Sequence, residues 1–411
     1  MLETVLIFAK DEEKALKKVA GLSVVRRAAM ASFKAGISNF IVLTDSDKVA
    51  KDIKSAKKLS KSNIEILSPN SFLQNTEKLK ENRFLFIEAD NVFHYSLLDF
   101  STSDFNSKLS QYFQGEENTG ISIISTQAFK NIAQKENDFE TVLNRFMSSF
   151  APTKIQTKAV WTKITDKKSI KTAKNLLFTT VTKPTSGFVS KYINARFSIP
   201  VTKILSEFRI SPNFITVITF SIGLLSAWCM ANANLGYFYV LMGGILWQLA
   251  AISDRADGEI ARVKMSDSKF GGWFDTVTDN LAYVAFFFGV TIGMYNLHPQ
   301  NTEYLYLGGI TVFVILLGLA GMYSYVIRIG SASLQTYNAQ LAEDENQSTA
   351  ATLLKKLKFM SKRDFFSLTF CVFCMFDKFE FVYWGLMIGG NIIGFVILMS
   401  QRKMMNQVKT A

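Results

Sequence analysis

Cysteine is scarce in this chain, with three in 411 residues. Cys229, Cys371 and Cys374 all lie inside apolar runs, which argues against a disulfide framework. The C-x-x-C formed by the last two reads as packing inside a membrane helix rather than as a redox pair. No basic-aromatic nucleic-acid motif occurs, so the net charge of +12 needs another partner. Beside long apolar runs it fits an anionic membrane surface, because basic residues gather on cytoplasmic flanks of membrane spans. There is no internal repeat. The opening MLETVLIFAKDEE turns acidic after a short apolar-rich stretch, so no secretory leader is expected at this end.

What is present is sharply partitioned. Charge is concentrated before residue 212, and the long apolar runs follow it. In the first part, residues 4–9, 40–44, 64–67 and 84–88 are short, apolar and bounded by turn or charge signals, which predicts buried strands. Between the first two, 16–36 predicts a helix with Leu22, Val25, Ala29 and Phe33 on one face, stopped by Gly36. Alternation of this kind predicts an open, Rossmann-like, largely parallel α/β sheet.

Lys183-Pro184-Thr185-Ser186-Gly187 punctuates the chain. Beyond it, Phe188, Tyr192, Phe197, Val201, Ile204, Leu205 and Phe208 form an apolar stripe flanked by Lys191, Arg196, Lys203 and Arg209. The pattern suits a helix lying in the membrane interface, although an ordinary helix covering a domain would share it; Pro200 is a candidate kink. Six transmembrane helices are expected near 214–233, 236–254, 273–295, 304–327, 365–376 and 381–399, the fifth being short. Residues 343–349 read as a flexible bend before it. The connections 232–235, 296–303 and 377–380 hold one lysine and no arginine. Arg262, Lys264, Lys269, Arg328, Lys362, Arg363 and Arg402 collect on the opposite side. The expected topology is therefore a multi-pass protein of the cell membrane with a cytoplasmic N-terminus and cytoplasmic acids. The domain plan is 1–176 α/β, 177–212 linker and interfacial helix, 213–403 an all-α polytopic membrane domain, and 404–411 a tail.

The chemistry concentrates in residues 254–279, DRADGEIARVKMSDSKFGGWFDTVTD. Asp254 and Asp257 stand three apart, and Asp275 and Asp279 four apart, so each pair shares a helical face. Acids at the ends of two membrane helices repel one another without cations and are usually functional. An all-oxygen set without histidine or cysteine suits Mg²⁺, Mn²⁺ or Ca²⁺. Gly258, Ala261 and Gly271 allow close approach of a ligand to backbone, and Arg262 can hold a phosphate.

The string D-x2-D-G-x2-A-R-x8-G-x3-D-x3-D resembles the signature of the CDP-alcohol phosphotransferase family at every fixed position. The resemblance implies transfer of a phosphoalcohol from a CDP-alcohol to an acceptor hydroxyl, with release of CMP. It implies two Mg²⁺ or Mn²⁺ ions on Asp254, Asp257, Asp275 and Asp279, with Asp279 as the base. It also implies CDP binding by Asp257, Gly258, Ala261, Arg262 and Gly271. Asn213, in SPNFIT, resembles a residue near the active-site face. Arg328, Lys362 and Arg363 are candidates for a phosphorylated acceptor. The partners implied are CDP-diacylglycerol or CDP-inositol, a hydroxyl acceptor and the bilayer, and a homodimer is compatible. A transporter or non-catalytic scaffold is the rival from another class. Paired halves and broken midplane helices, the usual marks of transporters, are absent from the pattern.

Residues 3–176 resemble a sugar-nucleotide type nucleotidyltransferase domain, through KKVAGLSVVRRAAMASFKAGI, FLFIEADNVF and VWTKITDKKSIKTAKNLL. The departures are specific. No glycine precedes Gly21, and Asp11, Glu12 and Glu13 stand where the triphosphate would lie. Asp90 matches one metal-binding aspartate, while Lys163 replaces the second. The implied reading is a degenerate domain without transferase activity. The alternative is a bifunctional enzyme resembling fused inositol-phosphate cytidylyltransferase and di-myo-inositol-phosphate phosphate synthase.

Overall fold

In the computed structural model, residues 2–60, 62–100, 107–183, 186–328 and 363–410 are described, and for 325–328, 396 and 400–410 only the backbone. The chain forms two compact units. The first takes in Met1–Val181 with the short returns Ser206–Arg209 and Val263–Ser266, and the second takes in the rest.

The first unit is built on β1 (Thr4–Phe8), whose five residues are all buried. Val5 and Ile7 enter one core with Phe40, Val42, Leu85 and Ile87. Leu6 and Phe8 enter the other with Ile41, Leu43, Phe84 and Phe86. A strand covered on both faces reads as a continuous apolar run, and this made it legible in the sequence. The remaining strands are β2 (Lys18–Val19), β3 (Leu22–Ser23), β4 (Asn39–Leu43), β5 (Asn63–Leu67), β6 (Arg83–Glu88), β7 (Asn91–Phe93), β8 (Leu109–Gln114), β9 (Glu117–Ser125), β10 (Thr153–Gln156) and β11 (Trp161–Lys163). The main sheet has the order β10-β8-β9-β6-β1-β4-β5. The four expected strands pair parallel among themselves. The whole sheet is mixed, however, because β9 runs antiparallel to both β6 and β8. Only Gly115 and Glu116 separate β8 from β9, and so short a connection can join only antiparallel strands.

The helix expected over 16–36 is divided. In its place, α1 (Glu12–Leu16) ends where that helix was expected to begin, and the β2–β3 hairpin and α2 (Val24–Lys34) follow. Ala20 and Gly21 both have positive φ, at 48° and 80°, as tight hairpin turns require. A Cβ on Gly21 would stand 2.2 Å from the Ser206 carbonyl oxygen. Ser23 caps α2 by accepting from the Arg26 amide. Leu22 therefore lies in a strand, Val25 and Ala29 are buried, and Phe33 is exposed. The other helices of this unit are α3 (Asp47–Lys54), α4 (Pro69–Gln74), α5 (Thr126–Ala133), α6 (Phe139–Ser149) and α7 (Lys167–Thr179).

The second unit begins with a π-turn at Ser190–Asn194 and α8 (Ala195–Leu205), which contains Pro200 without ending there. Its faces are inverted relative to a helix covering a soluble core. Phe188, Tyr192, Phe197, Val201 and Ile204 are exposed, whereas Ser190, Asn194, Ser198 and Thr202 are buried. After α8 come α9 (Pro212–Ala231), α10 (Tyr237–Val263), α11 (Lys269–Leu297), α12 (Glu303–Arg328), α13 (Arg363–Met375) and α14 (Phe379–Thr410). Among the described residues, four helical stretches are long and apolar enough to cross a membrane: Pro212–Ala231, Lys269–Leu297, Glu303–Ser324 and Phe379–Met399. The sequence led to six. Of the other two, α10 is long enough but ends in Asp254, Arg255, Asp257, Glu259 and Arg262. With 13 residues, α13 reaches only about 20 Å at 1.5 Å per residue. The bend expected at 343–349 lies outside the described residues.

Helices α9 and α11 pack backbone to backbone. A Cβ on Gly289 would stand 2.2 Å from the Ala227 carbonyl oxygen, and one on Gly293 2.0 Å from that of Met230. Small residues at such crossings substitute for the hydrophobic drive that lipid does not supply. Nearby, Trp247 of α10 stacks on Phe286 of α11 with centroids 3.9 Å apart.

The polar face of α8 meets a buried ion pair on α10. Arg255 Nε lies 2.8 Å from Glu259 Oε1, with side chains 7% and 0% exposed. The guanidinium also donates to the hydroxyls of Ser198, Ser190 and Thr182. Glu259 accepts from Ser198 and Thr202 at 2.9 and 2.7 Å. Breaking one side of such a pair strands a buried charge, at a cost of about 3–5 kcal/mol. Arg255→Met is expected to lower the thermal unfolding midpoint of the detergent-solubilised protein sharply. The double variant Arg255→Met, Glu259→Leu should recover much of that loss in the same measurement.

Candidate functional site

The acidic motif spans the C-terminal turns of α10 and the first turns of α11. Ser268 caps α11 by accepting from the Gly271 amide at 3.0 Å. Helical spacing then presents Asp254 and Asp257 from α10 towards Asp275 from α11. Carboxylate oxygens of these three lie within 4.8 Å of one another. Asp279, one turn further along α11, is not in that group and accepts from Arg363 at 2.6 Å. The same Arg363 nitrogen stands 3.1 Å from Asp254.

Each acid has a distinct environment. Asp257 is 6% exposed and accepts from the Thr216 hydroxyl of α9 at 2.6 Å. One oxygen of Asp275, Oδ1, is buried with no hydrogen-bond partner. A buried carboxylate oxygen without a donor costs free energy, and a divalent cation would satisfy it. Three oxygen ligands on rigid helices, one of them waiting for a partner, fit a hard divalent metal.

The neighbouring motif residues surround the acids. The Arg262 guanidinium folds back over Gly258, and a Cβ there would meet Nη1 at 3.0 Å. A Cβ on Gly271 would lie 3.1 Å from Asn213 Oδ1, so Asn213 borders the same end of α11. Ala261 is half-buried on α10. Among the candidates for an acceptor, Arg363 faces the acids. The Arg328 side chain and Lys362 lie outside the described residues.

Two contributors were not found from the sequence. Thr216 stands three residues after Asn213, a spacing that puts both on one side of α9 and could have revealed it. The other is a chain of hydrogen bonds from Ser367 to Gln248, from Gln248 to Asn194, and from Asn194 to Asp364. It fixes the first turn of α13 to α10 and to the π-turn, and no local pattern announces it.

The first unit has an acidic pair of its own. Glu88 ends β6, Asp90 follows, and Lys163 is paired with Asn91 across the β7–β11 ladder. Its ammonium lies 2.9 Å from Glu88 and 3.3 Å from Asp90. Burial works against the charge on Lys163, but the two carboxylates outweigh it and raise its pKa. Burial also raises the Asp90 carboxyl, against the pull of Lys163. Where a glycine-rich loop was missing from the sequence, α1 stands. Asp11 caps it through the Lys14 amide, which holds its carboxyl below the ordinary range. Glu12 pairs with Lys48 at 2.8 Å, and Glu13 pairs with Lys17.

Loss of a hydrogen bond to a metal-ligating carboxylate usually costs 10- to 100-fold in metal affinity. Thr216→Val, which removes the donor to Asp257, is expected to weaken Mn²⁺ binding by about tenfold or more. Electron paramagnetic resonance titration of the purified protein measures this directly, and unchanged affinity would remove Thr216 from the site.

Comparison with known proteins places a CDP-alcohol phosphatidyltransferase domain at residues 209–389. The bifunctional IPC transferase and DIPP synthase of Thermococcus kodakarensis is 33% identical over 168 residues, 39% of this chain and 37% of that one. The archaetidylinositol phosphate synthase of Pyrococcus horikoshii is 33% identical over 93 residues, 23% of this chain and 47% of that one. The match thus spans little more than a third of the first relative's length and under half of the second's. Among solved structures, the inositol-1-phosphate CTP transferase from T. maritima matches 43% of this chain and 96% of its own. Its sequence identity is 12% and its TM-score 0.34.

Proposed function

We propose, with the CDP-alcohol phosphatidyltransferase domain of residues 209–389 as premise, that this protein is a membrane CDP-alcohol phosphotransferase. The observation that carries the reading is the convergence of Asp254, Asp257 and Asp275, with oxygens within 4.8 Å. These three acids would hold two divalent ions, Mg²⁺ or Mn²⁺, and Asp279 stands beside them outside that group. Such ions, when bound, orient a pyrophosphate and neutralise charge on the departing nucleotide.

The chain's own residues do the rest. Gly258, Ala261 and Gly271 leave room for the cytidine, and Arg262 holds its phosphates. The acceptor hydroxyl attacks the phosphorus that carries the alcohol. A new P–O bond forms as the bond to the CMP oxygen breaks, and CMP leaves with the electron pair. Asp279 receives the hydroxyl proton. The donor is CDP-diacylglycerol or CDP-inositol, and the acceptor is an alcohol.

In this reading α10 and α13 complete six spans, since α10 connects two membrane-crossing neighbours. The acids then face the cytoplasm with the basic flanks, and α8 lies at the interface with its exposed aromatics in lipid. The α/β domain, residues 1–176, does not make the CDP-alcohol. Lys163 takes the cation position beside Asp90, and α1 carries acids where a triphosphate would bind. The bifunctional relatives favour the alternative in which this domain does, and incubation with CTP decides between the two.

The purified chain should release CMP from CDP-diacylglycerol or CDP-inositol in the presence of a panel of alcohols. EDTA should abolish the release, and Mg²⁺ or Mn²⁺ should restore it. Asp279→Asn is expected to lower turnover by on the order of 10²–10⁴-fold with CDP-alcohol binding retained, and near-normal turnover would sink the base assignment. Incubation with CTP and inositol 1-phosphate or glycerol 3-phosphate should release no pyrophosphate. Release that is lost in Asp90→Ala would establish the bifunctional alternative.

A further inference from the structure

Arg363 enters the acidic cluster from a helix that the motif does not include. It is the first residue of α13, 84 positions from Asp279 in sequence. Its Nη1 lies 2.6 Å from Asp279 Oδ1 and 3.1 Å from Asp254 Oδ1. One nitrogen therefore ties an acid of α10 to an acid of α11. The guanidinium stands over the Tyr283 ring, 5.2 Å from its centroid, and the side chain is 12% exposed. Its Nε is buried without a hydrogen-bond partner. The turn that carries it is held by the Ser367–Gln248–Asn194–Asp364 chain of hydrogen bonds. Arg363 is thus built into the site and is not a surface cation that happens to reach it.

We infer that Arg363 is a resident counter-cation of the acidic cluster, which competes with the divalent metal for Asp254 and positions Asp279. The inference rests on the metal reading proposed above. Asp254 belongs to two sets: the three acids whose oxygens converge and the two acids held by Arg363. A cluster partly neutralised by a fixed guanidinium attracts a divalent ion less strongly than a bare one. In return, the acids remain ordered when no metal is bound. Asp279 belongs only to the Arg363 set, so its orientation survives when the metal takes Asp254. The same shared carboxylate couples metal arrival to release of one contact of the guanidinium.

The sign of the effect distinguishes this role from simple structural support. Loss of a supporting residue weakens metal binding, whereas loss of a competing charge strengthens it. The test is Mn²⁺ titration, followed by electron paramagnetic resonance, of the purified full chain in detergent without substrate. Arg363→Gln is expected to bind Mn²⁺ on the order of tenfold more tightly than wild type, and Arg363→Lys about as wild type. In the CMP-release assay, Arg363→Gln should lower kcat while reducing the Mn²⁺ concentration needed for half-activation. Arg363→Met supplies a second neutral variant of similar length, read by the same criterion, should the glutamine form fail to fold. Unchanged or weaker Mn²⁺ binding in the neutral variants, with wild-type binding intact and lost in Asp275→Asn, overturns this inference and leaves the metal reading in place. Absence of Mn²⁺ binding by wild type itself overturns both.

Discussion

Four carboxylates drawn together between two helices of an apolar bundle are the constraint on which the second unit depends. Two like charges about 5 Å apart at an effective dielectric near 20 repel by roughly 3 kcal/mol, and the cluster contains several such pairs. The surrounding structure answers the repulsion without removing it. Thr216 donates to Asp257, Arg363 bridges Asp254 and Asp279, and one oxygen of Asp275 stays unpaired. An arrangement so incompletely neutralised is costly as architecture and economical as a cation site.

The same principle orders the rest of the unit, where polar groups turn inward and apolar ones outward. Around Arg255 and Glu259, six hydrogen-bonding or ionic contacts are satisfied by Thr182, Ser190, Ser198 and Thr202 and by the pair itself. Phe197, Val201 and Ile204, on the same helix as two of those partners, are exposed. In water such a helix would waste its hydrophobic surface; against lipid it would not. The buried network thus fixes α8 to α10 through polar contacts, in keeping with membrane domains where apolar packing alone provides little drive.

The first unit solves a smaller version of the charge problem in a different way. Glu88 and Asp90 are close enough to repel, and Lys163 is placed between them by the register of β11 on β7. A covalently attached ammonium is always present, so the pair does not depend on an ion from solution. The acids of α1 are likewise engaged locally, in a cap and in ion pairs with Lys48 and Lys17.

Local periodicity determined much of this protein by itself. The strands around Val5, Phe40, Ile64 and Phe84 were legible because burial on both faces writes an unbroken apolar run. The facing of Asp254 with Asp257, and of Asp275 with Asp279, follows from helical spacing alone. Local pattern failed where the chain reverses within a few residues. The Ala20–Gly21 turn splits an apparently continuous helix, and the Gly115–Glu116 turn makes a sheet mixed that alternation had made parallel. It led to six spans, of which four are long and apolar enough among the described residues, since α10 ends in charged residues and α13 is short. What only the tertiary structure decided is which groups meet the acids. Thr216 arrives from α9 and Arg363 from α13, at sequence separations of 41 and 84 residues. Helix spacing is a property of neighbours in the chain, whereas charge compensation is a property of neighbours in space.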